Sequence, residues 1–311
     1  MLLAVTLNPS VDISYHLDQL KLDDVNRVIN IRKTAGGKGL NVARVAHLLG
    51  MDVKSTGVLG GSLGQLIERL LDQDQMKHQF LHTNQEARNC IAILHEQMQT
   101  EILESGPTLT KDDQELFLNH FRQLLNNPSV VTISGSIVNG FTKNVYSEMI
   151  EIARENHIPV ILDTSGESLS ESLRNKNALP YLIKPNVNEL RQILGCSIRN
   201  DQNEWKKVLK HQMFAGIPWI VVSQGAEGAF VKHEDLFYNV EIPRINVVSP
   251  VGSGDATVAG LAKAIEMNLN DEDVLKSGMA AGLLNAMEAQ TGYVDQAKFD
   301  HYASLVKVQK L

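Results

Sequence analysis

Apolar residues along this chain follow two patterns that take turns. Short continuous runs of aliphatic and β-branched residues at 2–7, 130–134, 160–163, 182–184 and 220–223 predict strands buried on both faces. At 40–49, 63–71, 112–125, 144–156, 189–194, 204–214, 255–267, 272–288 and 299–308 the apolar positions recur with helical spacing, which predicts amphipathic helices. Strands alternating with helices imply an α/β fold on a mostly parallel sheet, with ligands at the carboxyl ends of the strands.

Two stretches interrupt that rhythm. Residues 11–17 with 26–33, and 88–95 with 99–104, predict extended pairs with no helix between them, the second joined by the polar turn Glu96-Gln97-Met98. They suit a small separate sheet that closes as a lid over a substrate. An antiparallel extension of the main sheet is the other arrangement the pattern allows. No Pro-, Gly- or Ser-rich linker divides the chain, so the expectation is one domain over 1–311, with lid segments at about 11–34 and 86–105.

Composition narrows the function classes. A formal net charge of -7 argues against general nucleic-acid binding, so an anionic ligand must be held by local cations, and Arg27, Lys38, Arg88 and Lys184 are candidates. Two cysteines, Cys90 and Cys196, make neither a disulfide framework nor a metal cluster. The histidines His78, His82, His95, His211 and His233 show no convergent ligand spacing. The start Met1-Leu2-Leu3-Ala4-Val5-Thr6 lacks the basic segment of a signal peptide, and no apolar run approaches the roughly 18 residues of a membrane span. A cytosolic protein is expected.

The strongest chemical signal is Val251-Gly252-Ser253-Gly254-Asp255, which runs into the helical pattern at Ala256. Glycines let main chain approach an anion, and the first amides of a helix have no internal partner. Asp255 in the same turn could accept a proton from an attacking hydroxyl, as phosphoryl transfer to an alcohol requires. Taken alone, the turn is equally an ordinary helix start. A second glycine turn, Ala35-Gly36-Gly37-Lys38-Gly39-Leu40-Asn41, opens the helix at 40–49. It is not a P-loop, because Arg32 and Gly39 stand where Gly and Ser/Thr would be needed. Nor is there a dinucleotide fingerprint, since the first strand runs into Asn8-Pro9-Ser10-Val11-Asp12.

Together, Gly36-Gly37-Lys38-Gly39-Leu40-Asn41-Val42 and Val251 to Gly260 resemble the two signature regions of the ribokinase-like sugar kinases, over about residues 2–294. The resemblance implies a three-layer α/β/α core with a small β-sheet lid, ATP as phosphate donor and Mg2+. It assigns Asp255 as base, with Gly252, Ser253 and Gly254 as the anion hole. Lys184, Asn186 and Glu189 would meet phosphate and, through water, magnesium. Ser223, Gly225 and Gly228 match the family's nucleotide turn, with Gln224 where Leu is commoner, and Asn285 would face the adenine. Within the family the chain is similar to the phosphofructokinase B branch, which acts on sugars already phosphorylated. There Asp12, Gly37, Lys38 and Asn41 would hold sugar hydroxyls and charge, while Arg27, Arg88 and Ser136 would meet the existing phosphate. Ile137-Val138 replace the usual Leu-Pro after Ser136. Lys33 to Val42, Arg88 to Glu96, Gln99 to Glu104 and Glu288 to Val294 are similar to members of that branch acting on D-tagatose 6-phosphate, which the resemblance implies as the sugar, with fructose 1-phosphate as the rival. A non-catalytic sugar-phosphate sensor and an NAD-dependent dehydrogenase are readings from other classes. The lid face could pair with a second subunit.

Overall fold

The computed structural model describes the whole chain except Gln97 and Asn200. The chain opens with β1 (Leu2–Thr6), β2 (Ser10–Leu17) and β3 (Ile31–Gly36), then α1 (Lys38–Leu48), β4 (Val53–Gly60) and α2 (Gly61–Gln73). Short strands β5 (Lys77–His78) and β6 (Leu81–Thr83) precede the hairpin β7 (Arg88–His95) and β8 (Met98–Leu103). Helices and strands then alternate through α3 (Lys111–Leu124), β9 (Val130–Ser134), α4 (Val145–Glu155), β10 (Val160–Asp163), α5 (Gly166–Ser172) and β11 (Leu182–Ile183). They continue with α6 (Val187–Leu194), α7 (Gln202–Leu209), β12 (Trp219–Ser223), β13 (Ala229–His233) and β14 (Leu236–Glu241). The end comprises α8 (Ser253–Glu266), α9 (Asp271–Ala286), α10 (Phe299–Leu305) and β15 (Lys307–Lys310).

The large sheet has the order β15-β14-β13-β12-β11-β10-β9-β1-β4-β5, with β6 also paired to β4. Pairing is parallel from β12 to β5 and antiparallel from β12 to β15. Side-chain alternation on β1 sends Leu2 and Ala4 into one core and Leu3 and Val5 into the other. The first core is closed by α1, α2, α8 and α9, the second by α3 to α7, giving three layers. The chain departs from β1 toward β4 on one side and returns to β9 on the other. This switch point opens a crevice at the carboxyl ends of β1 and β9, where Asn8 Nδ2 donates to Ser136 Oγ at 3.4 Å.

The lid is a sheet of its own, β3-β2-β7-β8, so the alternative of an extended main sheet is overturned. Its central pair β2 and β7 is parallel, and each carries an antiparallel neighbour. Several expected boundaries move. The strand expected at 26–33 lies at Ile31–Gly36, because it must pair with β2 up to Ser10↔Gly36. Arg27 therefore sits exposed in an irregular segment rather than on a lid strand. The helix expected over 299–308 stops at Leu305, and Lys307–Lys310 adds to the sheet edge beside β14. Helix α7 ends at Leu209, leaving Gln212–Phe214 as one separate turn. The expected turn Glu96-Gln97-Met98 includes Gln97, outside the described residues. Among the described residues no helix is long and apolar enough to cross a membrane.

Candidate active site

Both glycine motifs end at helix starts, and the two helices pack side by side on one face of the sheet. Helix α1 must lie close to β1: a Cβ on Gly39 would stand 2.4 Å from the Val5 carbonyl oxygen. Helix α8 begins after Gly252, whose φ of 83° belongs to the left-handed region that glycine reaches without strain. That turn brings Asp255 into the first turn of α8, 6% exposed, where Asn41 Nδ2 donates to its Oδ2 at 2.9 Å.

Burial pushes the Asp255 carboxyl up to about 7, and the neighbouring Asp163 carboxylate adds to the rise, against Lys38, the Asn41 hydrogen bond and Lys184. A base with that value gains a proton readily near neutral pH. Around it the helix start is only partly free. The Ser253 amide reaches the Pro250 carbonyl at 3.3 Å, and the Ala256 amide closes on Gly252 at 2.8 Å. Among the described residues the amides of Gly254 and Asp255 meet no backbone carbonyl and are left for an anion. Gly254 also makes room for a cation: a Cβ there would lie 3.2 Å from Lys184 Nζ.

Asp163, at the carboxyl end of β10, is a central member of this cluster that the motifs did not flag. It is 2% exposed, 3.4 Å from Lys184 Nζ and 3.9 Å from Lys38 Nζ. Its charge, more than any other, holds Lys38 above the usual lysine range. One carboxylate thus fixes two ammonium groups facing the base. The available signal was position: a carboxylate at the end of a central parallel strand, where ligands collect.

On the lid side, Asp12 accepts from Ser10 Oγ at 2.6 Å, and burial raises its carboxyl above the usual range. Gly36 leaves the space Asp12 occupies, since a Cβ there would fall 1.9 Å from its Cγ. Arg88 donates through Nε and Nη2 to the Asn8 carbonyl at 3.2 and 3.0 Å, and through Nη1 to the Glu104 carbonyl at 2.9 Å. It joins the lid to the crevice, with guanidinium donors left over. Arg27 is not brought to this cluster; it is exposed on the segment between β2 and β3.

Asn186 and Glu189 start α6 as a reciprocal cap. The Asn186 side chain accepts from the amides of Asn188 and Glu189, both at 2.9 Å, and Glu189 Oε2 accepts from the Asn186 amide at 2.8 Å. Glu189 keeps its second oxygen and lies near enough to raise the Lys38 ammonium. Alongside, the Ser223 amide donates to the Pro185 carbonyl at 3.1 Å. There the chain turns through Gly225 to Gly228, where a Cβ would meet the Val240 carbonyl at 2.0 Å. Asn285 stands beside the turn that starts α8. It is fully buried, donates to the Val251 carbonyl at 3.3 Å and accepts from the Gly292 amide at 3.2 Å. It braces the loop before α8.

The profile of the pfkB family of carbohydrate kinases matches residues 5–297. A tagatose-6-phosphate kinase of Staphylococcus epidermidis is 49% identical over 308 residues, 99% of each chain. Phosphofructokinase-2 from Escherichia coli in complex with potassium superposes with a TM-score of 0.90 at 24% identity, over 97% of this chain and 98% of that one. The tetrameric inhibited form of the same enzyme gives 0.89 at 24% identity over the same shares.

Proposed function

The chain belongs to the pfkB family of carbohydrate kinases, and from that premise we propose that it transfers the γ-phosphoryl group of ATP to the C1 hydroxyl of D-tagatose 6-phosphate, giving D-tagatose 1,6-bisphosphate and ADP. One observation carries the choice of sugar: the 49% identity, over 99% of both chains, to a tagatose-6-phosphate kinase. The reaction is a phosphotransfer to an alcohol, with ATP as donor.

In this reading Asp255 takes the proton from the C1 hydroxyl as that oxygen attacks in line. The free amides at the start of α8 and the Lys184 ammonium stabilise charge on the transferring group. Asp12 and Asn41 orient the sugar hydroxyls, and Lys38 meets the group in transfer. The far phosphate is held by Arg88 beside Ser136, with Arg27 reaching it only if its segment folds inward. The turn from Ser223 through Gly225 to Gly228 receives the nucleotide. Magnesium suits these residues: Glu189 has an unused carboxylate oxygen, and hard cations are commonly held by one or two carboxylates together with substrate phosphates. When bound, it would offset charge on the triphosphate.

The lid exposes Ile31, Met98, Ile102 and Leu103 on its two edge strands, each more than half exposed. Open edges with apolar side chains favour pairing, and a homodimer through this face is part of the proposal. A sedimentation measurement in which Ile102→Lys leaves the assembled mass unchanged would refute it. The enzyme would work in the cytoplasm, on the tagatose 6-phosphate route of lactose and galactose breakdown. Its product is the direct test: phosphorus NMR should show a new phosphoester at C1 with the one at C6 retained. Binding of the sugar phosphate without ADP release would favour a sensor instead.

A further inference from the structure

Asn41 touches Asp255 with one end of its amide, and its other end is also held. Arg44, one turn along α1 and 3% exposed, places Nη1 3.3 Å from Asn41 Oδ1. The rest of the guanidinium is anchored on separate elements. Its Nε reaches Asp74 Oδ2 at 3.3 Å at the end of α2, and its Nη2 donates to the carbonyl of Ala35 on β3. The space is filled, for a Cβ on Gly292 would lie 3.0 Å from Asn41 Oδ1 and 3.1 Å from Arg44 Nη1.

An amide has one accepting end and one donating end, whereas a guanidinium can only donate and an ionised carboxylate can only accept. With Arg44 on one side and Asp255 on the other, a single orientation of Asn41 satisfies both. We infer that Arg44 is a positioning residue for phosphoryl transfer: it keeps the Asn41 amide turned so that its N–H, and not its carbonyl, meets the carboxylate of Asp255. This rests on Asp255 being the base and goes beyond that assignment.

The consequence lies in ionisation. A donated N–H favours the charged carboxylate, while an amide carbonyl turned toward it would favour the protonated acid. The other groups facing Asp255 are Asp163 from β10, Lys38 from α1 and Lys184 after β11. Those facing Arg44 are Asp74 from α2 and, through its charge, Asp12 from β2. None of them can select the orientation of the Asn41 amide.

The test is the pH profile of kcat for the wild-type enzyme, Arg44→Met, Asn41→Ala and the double variant, with thermal melts as a folding check. Arg44→Met should move the acid limb to higher pH by about one unit, the tenfold scale of one hydrogen bond to a charged group, with little change in KM for ATP. In the Asn41→Ala background the same substitution should move the limb no further. An equal shift in both backgrounds would mean that the guanidinium acts through space, and an unmoved limb in a folded Arg44→Met enzyme would mean that it does not act on the base; either overturns the inference. Should Arg44→Met not fold, Arg44→Lys keeps the charge but loses the fork. Its limb must move the same way by less, and no movement overturns the inference. An Asp255→Asn enzyme with normal turnover would instead remove the base assignment itself, an outcome separate from these.

Discussion

Asn41 Nδ2 stands 2.9 Å from Asp255 Oδ2, although 214 residues of chain lie between them. The contact joins the helix starts that follow the two glycine turns, so these turns build one site from opposite ends of the sequence. Asp255→Asn should lower kcat by about 10²–10⁴, the range for general-base catalysis, with a smaller effect on KM for ATP. In the wild-type enzyme, activity should be present above pH 7 and fall away below it, because the base must be ionised and its carboxyl titrates at about 7. Initial rates across pH check both statements.

The same burial has a stability consequence with a definite sign. The folded Asp255 carboxyl titrates above its unfolded value of 3.8, so its contribution to stability declines as pH rises from there through about 7. Asp255→Asn should therefore melt at a higher temperature than the wild type at pH 8, and the difference should vanish toward pH 4. Calorimetry at the two pH values decides the matter.

Gly36→Ala offers a local test of the sugar side. Its added methyl would overlap the Asp12 carboxylate, and the end of a flexible side chain yields more easily than backbone. The expected result is a kcat/KM for the sugar phosphate lower by about 10–100-fold, the scale of one hydrogen bond to a charged group, with a melting temperature close to the wild type. A parallel loss of stability would mean that the glycine serves the turn and not Asp12.

Arg88→Ala should raise the KM for the sugar phosphate and leave the KM for ATP nearly unchanged. The guanidinium also ties the Asn8 and Glu104 carbonyls together, so some loosening of the lid should accompany it. Steady-state kinetics with each substrate varied in turn separate the two effects.

Much of this arrangement was legible from residue order. Strands at Val130–Ser134 and Val160–Asp163 stand out because apolar and β-branched residues run unbroken there. β4 did not stand out, because Ser55 and Thr56 are polar yet wholly buried, and only the packing of neighbouring elements makes room for them. Arg27 lies ahead of β3, which begins only at Ile31, since sequence spacing does not give the register that β2 imposes. Asp163 and Arg44 escaped for another reason. Asp163 acts on Lys38, far away in sequence, and Arg44 is anchored by Ala35 and Asp74 on other elements; neither lies in a glycine turn that would mark it.

The central claim is most directly tested by kcat/KM, from ADP release, for a panel of ketose phosphates under saturating ATP. D-tagatose 6-phosphate should give the highest value. Its epimer fructose 6-phosphate should be poorer, since separating the two depends on how one hydroxyl is hydrogen-bonded in the pocket. A higher value for fructose 1-phosphate, or no ADP release with any member, would contradict the account.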